Sequence, residues 1–274
     1  MYGENSNYNV LTGHKNAVLE VKWSHVTPHQ LMSCSADKTV AIWDGNKGHC
    51  IRKFTEHQSI VNSIANARTV ADLLVSGSDD TSALLWDIRS KKSVAAMKHP
   101  YQVTAVAMHS DAEAVYTGGI DNIIRRFDVR KLGKAVENLQ LTGHTDTITG
   151  LSLSPDNNFL LSNAMDSCVY KWDTRPFVKQ DGDRCVMSYT GVHHGAERVL
   201  LKAGWSNSES SMGKALITTG SADRIVHIWE EDTGKQMYYL PGHKGSVNEV
   251  SFHPSEAIVA SCSTDKTVFL GELS

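Results

Sequence analysis

The chain has 274 residues, 41% of them apolar, and a net charge of −3 at pH 7; with a sequence pI near 6.5 it has no overall attraction for nucleic acid. Its five cysteines are odd in number and lack a close CxxC pair, which argues against a zinc site or disulfide framework and for reduced, mostly buried thiols. The start, MYGENSNYN, has no apolar signal core and no run of eighteen apolar residues occurs, so the sequence predicts a soluble intracellular protein without membrane contact.

The first β-prone run is Tyr8 to Leu11, followed by Gly13-His14. AVLEVKW, LMSCSA and TVAIWD come next, separated by the turn formers Ser24, Pro28 and Asp37, and predict three strands. The unit then returns five times. It is marked by a His, a Ser or Thr, an Asp four residues after that hydroxyl, and an aromatic or its stand-in shortly beyond. The sets are His14/Ser33/Asp37/Trp43, His57/Ser76/Asp80/Trp86, Thr117/Asp121/Phe127, His144/Ser162/Asp166/Trp172, Thr219/Asp223/Trp229 and His243/Ser261/Asp265 with Leu270 as stand-in. In the third unit the upstream His99 precedes Pro100, and in the fifth a degenerate His193-His194 stands there. From Asp37 through Asp80, Asp121, Asp166 and Asp223 to Asp265 the steps are 43, 41, 45, 57 and 42 residues, the period of a propeller blade with one expanded unit.

A fourth strand per unit is expected before each His, in CIRKF, LQL and MYYL, so sequence repeat and structural blade are offset by one strand. The fold class predicted is all-β, a β-propeller of six visible repeats in one domain over 1–274, with repeats near 8–44, 50–87, 93–128, 138–173, 184–230 and 236–271. The offset leads us to expect that Tyr8 to Leu11 completes the last blade, since closure removes unpaired edge strands.

His, hydroxyl and Asp together suggest nucleophilic catalysis, but a hydrolase needs that constellation once, at a cleft. Recurrence predicts a structural hydrogen-bond chain instead: indole N–H to hydroxyl, hydroxyl to His, His to Asp. Phe127 cannot donate and Leu270 lacks the ring, so those blades are expected to be locally weaker. No catalytic, cofactor or metal site is expected: His193, His194 and Glu197 lack a third ligand at metal spacing, and neither a GxxxxGK[ST] loop nor a GxSxG elbow occurs.

The expanded unit, Arg175 through Trp205, is expected to be a solvated rim loop or else a partner contact, NSESSMGK (207–214) a polar loop, and the basic stretch Arg89 to Lys92 and the pair Arg125-Arg126 solvated blade edges. Arg89, Arg130 and Arg175 each stand two residues beyond an Asp that follows the blade aromatic. They are candidate partner contacts or partners of their own blade's acids.

GHKNAVLEVKW…SADKTVAIWD resembles the WD-repeat (WD40) family, over the whole chain. TGGIDN, LTGHTDTITGLSLSPDNNFLLSNAMDS, WDTRPF, GSADRIVHIW and LPGHKGSVNEVSFHP are similar to a narrower branch, the WD-repeat subunits of the spliceosomal U5 particle. LLSNAMD and DKTVFLGEL depart from the repeat consensus, and such departures are more specific than the consensus itself. The resemblance implies a non-catalytic nuclear scaffold for pre-mRNA splicing, whose partners are proteins of the U5 particle, especially its large core protein. RNA contact would be indirect, and no small-molecule substrate or cofactor is implied. It also implies seven blades, with one repeat ahead of Tyr2-Gly3. The rival implied by the WD-x-R endings is a substrate receptor of a cullin-type ubiquitin ligase.

Overall fold

The computed structural model describes residues 9–70, 72–130, 135–176, 184–206 and 215–273. Its described secondary structure is entirely β, in six sheets. The first holds β1 (Val18–Trp23), β2 (Gln30–Ser35), β3 (Val40–Asp44) and β4 (His49–Phe54). The second holds β5 (Val61–Asn66), β6 (Leu73–Ser78), β7 (Ser82–Asp87) and β8 (Ser93–Lys98). The third holds β9 (Val103–Met108), β10 (Ala114–Gly119), β11 (Ile124–Asp128) and β12 (Val136–Leu141). The fourth holds β13 (Ile148–Leu153), β14 (Phe159–Ala164), β15 (Val169–Asp173) and β16 (Cys185–Tyr189), and the fifth β17 (Ala203–Trp205), β18 (Leu216–Thr219), β19 (Ile225–Glu230) and β20 (Gln236–Pro241). The sixth has three strands among the described residues, β21 (Val247–Phe252), β22 (Ile258–Ser263) and β23 (Val268–Glu272). Each sheet is a propeller blade with strands in chain order.

Two compact units share these strands: residues 1–115 with 126–138, and residues 116–125 with 139–274. In the first, β2 is buried at every position, whereas the outer strand β4 exposes most of its length. Polar outer strands such as HCIRKF keep water on an edge that would otherwise template aggregation. Apolar residues facing a neighbouring blade make the core. Met32, Val40, Ile42 and Phe54 meet Val61, Ile64, Leu74 and Trp86. In the second unit Leu216, Val226 and Ile228 meet Val247, Val250 and Val259.

Two expectations change here. Tyr8 lies outside the described residues, and Asn9–Leu11 carry no strand. Leu11 instead packs on Leu31, Ala41 and Trp43 of the first sheet, while the Asn9 amide donates to the Gly45 carbonyl at 3.1 Å. These local contacts satisfy the segment where it stands. The free cysteines are also less hidden than expected: Cys34 is buried, Cys50 is exposed and the other three are half-buried. The segment 207–214 and residues 177–183 of the expanded unit lie outside the described residues.

The turn after the tetrad Asp has one backbone solution in all six blades. Lys38, Thr81, Asn122, Ser167, Arg224 and Lys266, each directly following its Asp, have φ between 63° and 73°. In this left-handed region an L-residue with a branched Cβ is strained most, and Thr81 is the branched one. Thr81→Asn is expected to stabilise the chain by about 0.5–1 kcal/mol, read as a higher urea midpoint with unchanged slope; a lower midpoint would contradict the strain assignment.

Candidate functional site

Three blades carry the full polar chain. In the second, Trp86 Nε1–H donates to Ser76 Oγ at 2.7 Å, Ser76 Oγ meets His57 Nε2 at 2.7 Å, and His57 Nδ1 meets Asp80 at 2.7 Å. The fourth repeats it with Trp172, Ser162, His144 and Asp166 at 2.7, 2.6 and 2.8 Å. In the first, Trp43, Ser33, His14 and Asp37 are linked at 2.7, 2.7 and 3.1 Å. The indole occupies a lone pair of the hydroxyl, leaving its proton for the imidazole. The other ring nitrogen, Nδ1, meets the carboxylate.

Each Asp also organises its turn. Asp37 accepts the Lys15 N–H, the Thr39 N–H and hydroxyl, and Lys53. Burial raises the Asp37 pKa, but the bonds from Thr39, Lys15, His14 and Lys53 outweigh it and hold the carboxyl well below the usual carboxylate range. Asp80 and Asp166 are lowered against burial in the same way, with Ser82 and His144 their leading donors. Burial lowers the His57 pKa despite the bond and charge of Asp80, which agrees with the neutral tautomer. Ser76 and Ser162 are wholly inaccessible, so these hydroxyls cannot meet a substrate as nucleophiles.

The remaining blades depart, each for a visible reason. In the third, Phe127 has no N–H to give, and the buried Thr117 hydroxyl has no hydrogen-bond partner among the described residues. Asp121 pairs with Arg125 at 2.6 Å, and His99 meets the Phe127 ring edge-on at 5.3 Å. In the fifth, Thr219 bonds the Lys202 carbonyl and the Asn163 amide, and the imidazole on Asp223 is His227, at 2.9 Å. His227 stacks on Trp229 with centroids 5.6 Å apart. Arg125, expected on a solvated edge, is instead buried against Asp121, and His227 was not foreseen; the signal was available, because both stand four residues after their Asp, where Ala41, Leu84, Tyr170 and Phe269 stand elsewhere.

In the sixth blade His243 reaches Asp265 at 3.2 Å and Ser261 at 2.9 Å. The stand-in is corrected by register: Leu31 opposes Trp43 and, two residues before Ser261, Val259 opposes Gly271. Gly271, not Leu270, holds the Trp position.

His193 and His194 do not serve Asp223. The His193 N–H donates to Ser221 Oγ, and His194 Nε2 lies 3.3 Å from Asn163 Oδ1. Among the described residues no group of three His, Cys, Asp or Glu is placed to hold a metal. Asn163 explains LLSNAMD. Its buried amide donates to the Leu201 carbonyl at 3.3 Å and to Thr219 at 3.1 Å, tying the end of the expanded unit to β14 and β18.

The three WD-x-R arginines fold back on their own blades. Arg89 grips Asp87 through Nε at 3.0 Å and Nη2 at 2.8 Å, and Arg130 on Asp128 and Arg175 on Asp173 do the same. All three side chains stay exposed. Another surface was not foreseen: β1 turns Val18, Leu19, Val21 and Trp23 to solvent, with Trp23 53% exposed, although its counterparts β5 and β9 are mostly or wholly buried.

Comparison with known proteins gives a consistent result. The family described as "WD domain, G-beta repeat" matches residues 5–44, 48–87, 136–173 and 234–270. The U5 small nuclear ribonucleoprotein 40 kDa protein of Dictyostelium discoideum is 43% identical over 273 residues, all of this chain and 74% of that protein. The pre-mRNA-splicing factor cwf17 of Schizosaccharomyces pombe is 38% identical over the whole chain and 77% of its own length. The mouse U5 40 kDa protein is 42% identical over 84% of this chain, which spans 62% of the mouse protein.

Ser76→Ala strands both the Trp86 indole and His57 and is expected to cost about 1–3 kcal/mol. Ser261→Ala, which strands no indole, is expected to cost less in the same urea titration, and equal losses would contradict the assignment. The pH dependence follows from the shifts. His57 protonates in the unfolded chain near pH 6.5 before it does so in the fold, so stability falls as pH drops below about 6.5. The lowered aspartates hold their contribution until pH falls below about 4. Thermal melts are expected to show a plateau above neutrality and two declines on acidification; a melting temperature that rises between pH 7 and 5.5 would contradict it.

Proposed function

Because the chain belongs to the WD-repeat family, whose fold is the β-propeller, we propose that it is a non-catalytic protein-interaction scaffold of the nuclear splicing machinery. The observation that carries this reading is 43% identity, sustained over the whole chain, to a protein named for the U5 particle. A splicing factor of a second organism, similar over the same length, supports it.

The physical arrangement suits a platform. Hydroxyls and imidazoles that elsewhere do chemistry are buried in blade interiors and committed to each other. The outer strands of the blades, such as β4, stay exposed for partners. The partner class is proteins of the U5 particle, its large core protein foremost. With a net charge of −3, RNA is met through those proteins and not by charge attraction.

Affinity purification of the tagged chain from nuclear extract tests this. Recovery of U5 proteins that survives nuclease treatment is expected. Loss of those proteins on nuclease treatment, or recovery of a cullin with its adaptor instead, would overturn it.

A further inference from the structure

The turns that join the third strand of a blade to the fourth differ in charge. In the first blade the turn after β3 carries Asp44 and Lys47, whose charged groups lie 4.0 Å apart. In the fifth, after β19, Glu230, Glu231 and Asp232 stand against Lys235, and Glu231 is committed to the buried Lys171 at 2.7 Å. In the second, between β7 and β8, Arg89, Lys91 and Lys92 stand against Asp87 alone. The surplus there is positive, in a chain whose net charge is −3.

Backbone bonds hold this turn in place. Ile88 is buried and its N–H donates to the Asp72 carbonyl at 2.8 Å, while the Ser90 N–H donates to the Asp87 carbonyl at 2.9 Å. The Lys92 N–H reaches Ser90 Oγ at 3.3 Å. Arg89 closes on Asp87 through Nε and Nη2 and neutralises the one carboxylate of the turn. A fourth cation comes from the neighbouring blade: Arg52 on β4 donates from Nη1 to the Ser90 carbonyl at 2.6 Å. That bond uses one of the five guanidinium donors and brings no negative charge with it. Among the described residues no carboxylate lies within ion-pair distance of Arg52, Lys91 or Lys92. Both lysines are exposed.

A rigid corner with unneutralised positive charge attracts an anion and needs little ordering when it binds one. Two polyanions have the right sign, a nucleic acid and an acidic stretch of protein, and the corner favours the second. Arg52 and residues 87–93 include no aromatic ring on which a base could stack. The cations also sit on one corner, whereas a phosphate backbone draws on a longer basic track. The outer strand β4, which carries Arg52, exposes most of its length beside the turn.

We propose that the corner formed by Arg52, Arg89, Lys91 and Lys92 docks an acidic segment of a partner protein, a short run of aspartate and glutamate. Carboxylates of that run pair with Lys91 and Lys92, and Arg52 offers its remaining donors to one of them. Arg89 stays on Asp87 and holds the turn. This deepens the scaffold reading by giving one partner surface its chemistry, and it does not depend on which assembly supplies the partner.

The test is fluorescence anisotropy of labelled hexaglutamate titrated with the full chain, with hexaglutamine and hexauridylate as comparisons. Hexaglutamate is expected to bind at least about tenfold tighter than either comparison, and to weaken as salt rises from about 0.05 to about 0.5 M. Lys91→Glu with Lys92→Glu is expected to lower its affinity at least about tenfold, and Arg52→Gln several-fold, with melting temperatures unchanged. Lys244→Glu with Lys266→Glu alters the net charge equally, at exposed positions of the other compact unit, and is expected to leave binding nearly unchanged. Equal losses in the two charge-reversed pairs, or hexaglutamate binding no tighter than hexaglutamine, would overturn the site. Hexauridylate binding as tightly as hexaglutamate would overturn the acidic-protein occupant. None of these readouts requires U5 proteins, so failure of the docking corner and failure of the splicing assignment are seen separately.

Discussion

The structure depends on a buried hydroxyl with two partners. In the first, second and fourth blades a serine takes an indole N–H from the third strand and meets an imidazole from the entering loop. Strand and loop are thereby fixed to each other across 28 or 29 residues of chain. The imidazole in turn positions the Asp, and the Asp holds a turn whose next residue is left-handed in every blade. One polar atom, excluded from water, couples a strand face, a loop and a turn, and losing either partner leaves the other buried and unsatisfied.

Much of this was legible because the period is regular. The recurrence marks the residues that form the hydrogen-bonded sets, and turn residues and β-prone runs mark the strands. Misreadings arose where a blade substitutes one donor for another. Asp223 takes His227 and Asp121 takes Arg125 from within the third strand. Reading only upstream for a His overlooks a partner four residues downstream, which shares the Asp's turn and strand. The expectation placed Leu270 at the tetrad position, but the ten-residue spacing from hydroxyl to ring in the other five blades points to Gly271, and the cross-strand register agrees. The β-prone segment before His14 was expected to form a strand, yet Asn9–Leu11 carry none and Leu11 packs on Leu31, Ala41 and Trp43.

Departures from the repeat also mark where the molecule is individual. Asn163 is a poor consensus residue but supplies the amide that holds the expanded unit to its blade. Gly271 leaves the sixth blade without the ring. The arginines after Trp86-Asp87, Phe127-Asp128 and Trp172-Asp173 spend their planar donors on their own aspartates, stiffening the blade ends while staying exposed. Rigid blade interiors with variable rims are what a scaffold needs: partners bind features that differ between blades, and the repeated tetrads keep those features in place.

The central claim is that the indole N–H groups are locked onto serine hydroxyls inside the blades, and hydrogen exchange of the tryptophan indoles measures it directly. The protons of Trp43, Trp86 and Trp172 should exchange orders of magnitude more slowly than that of Trp23, whose side chain is half exposed. Exchange of all four at similar, solvent-limited rates would contradict the account.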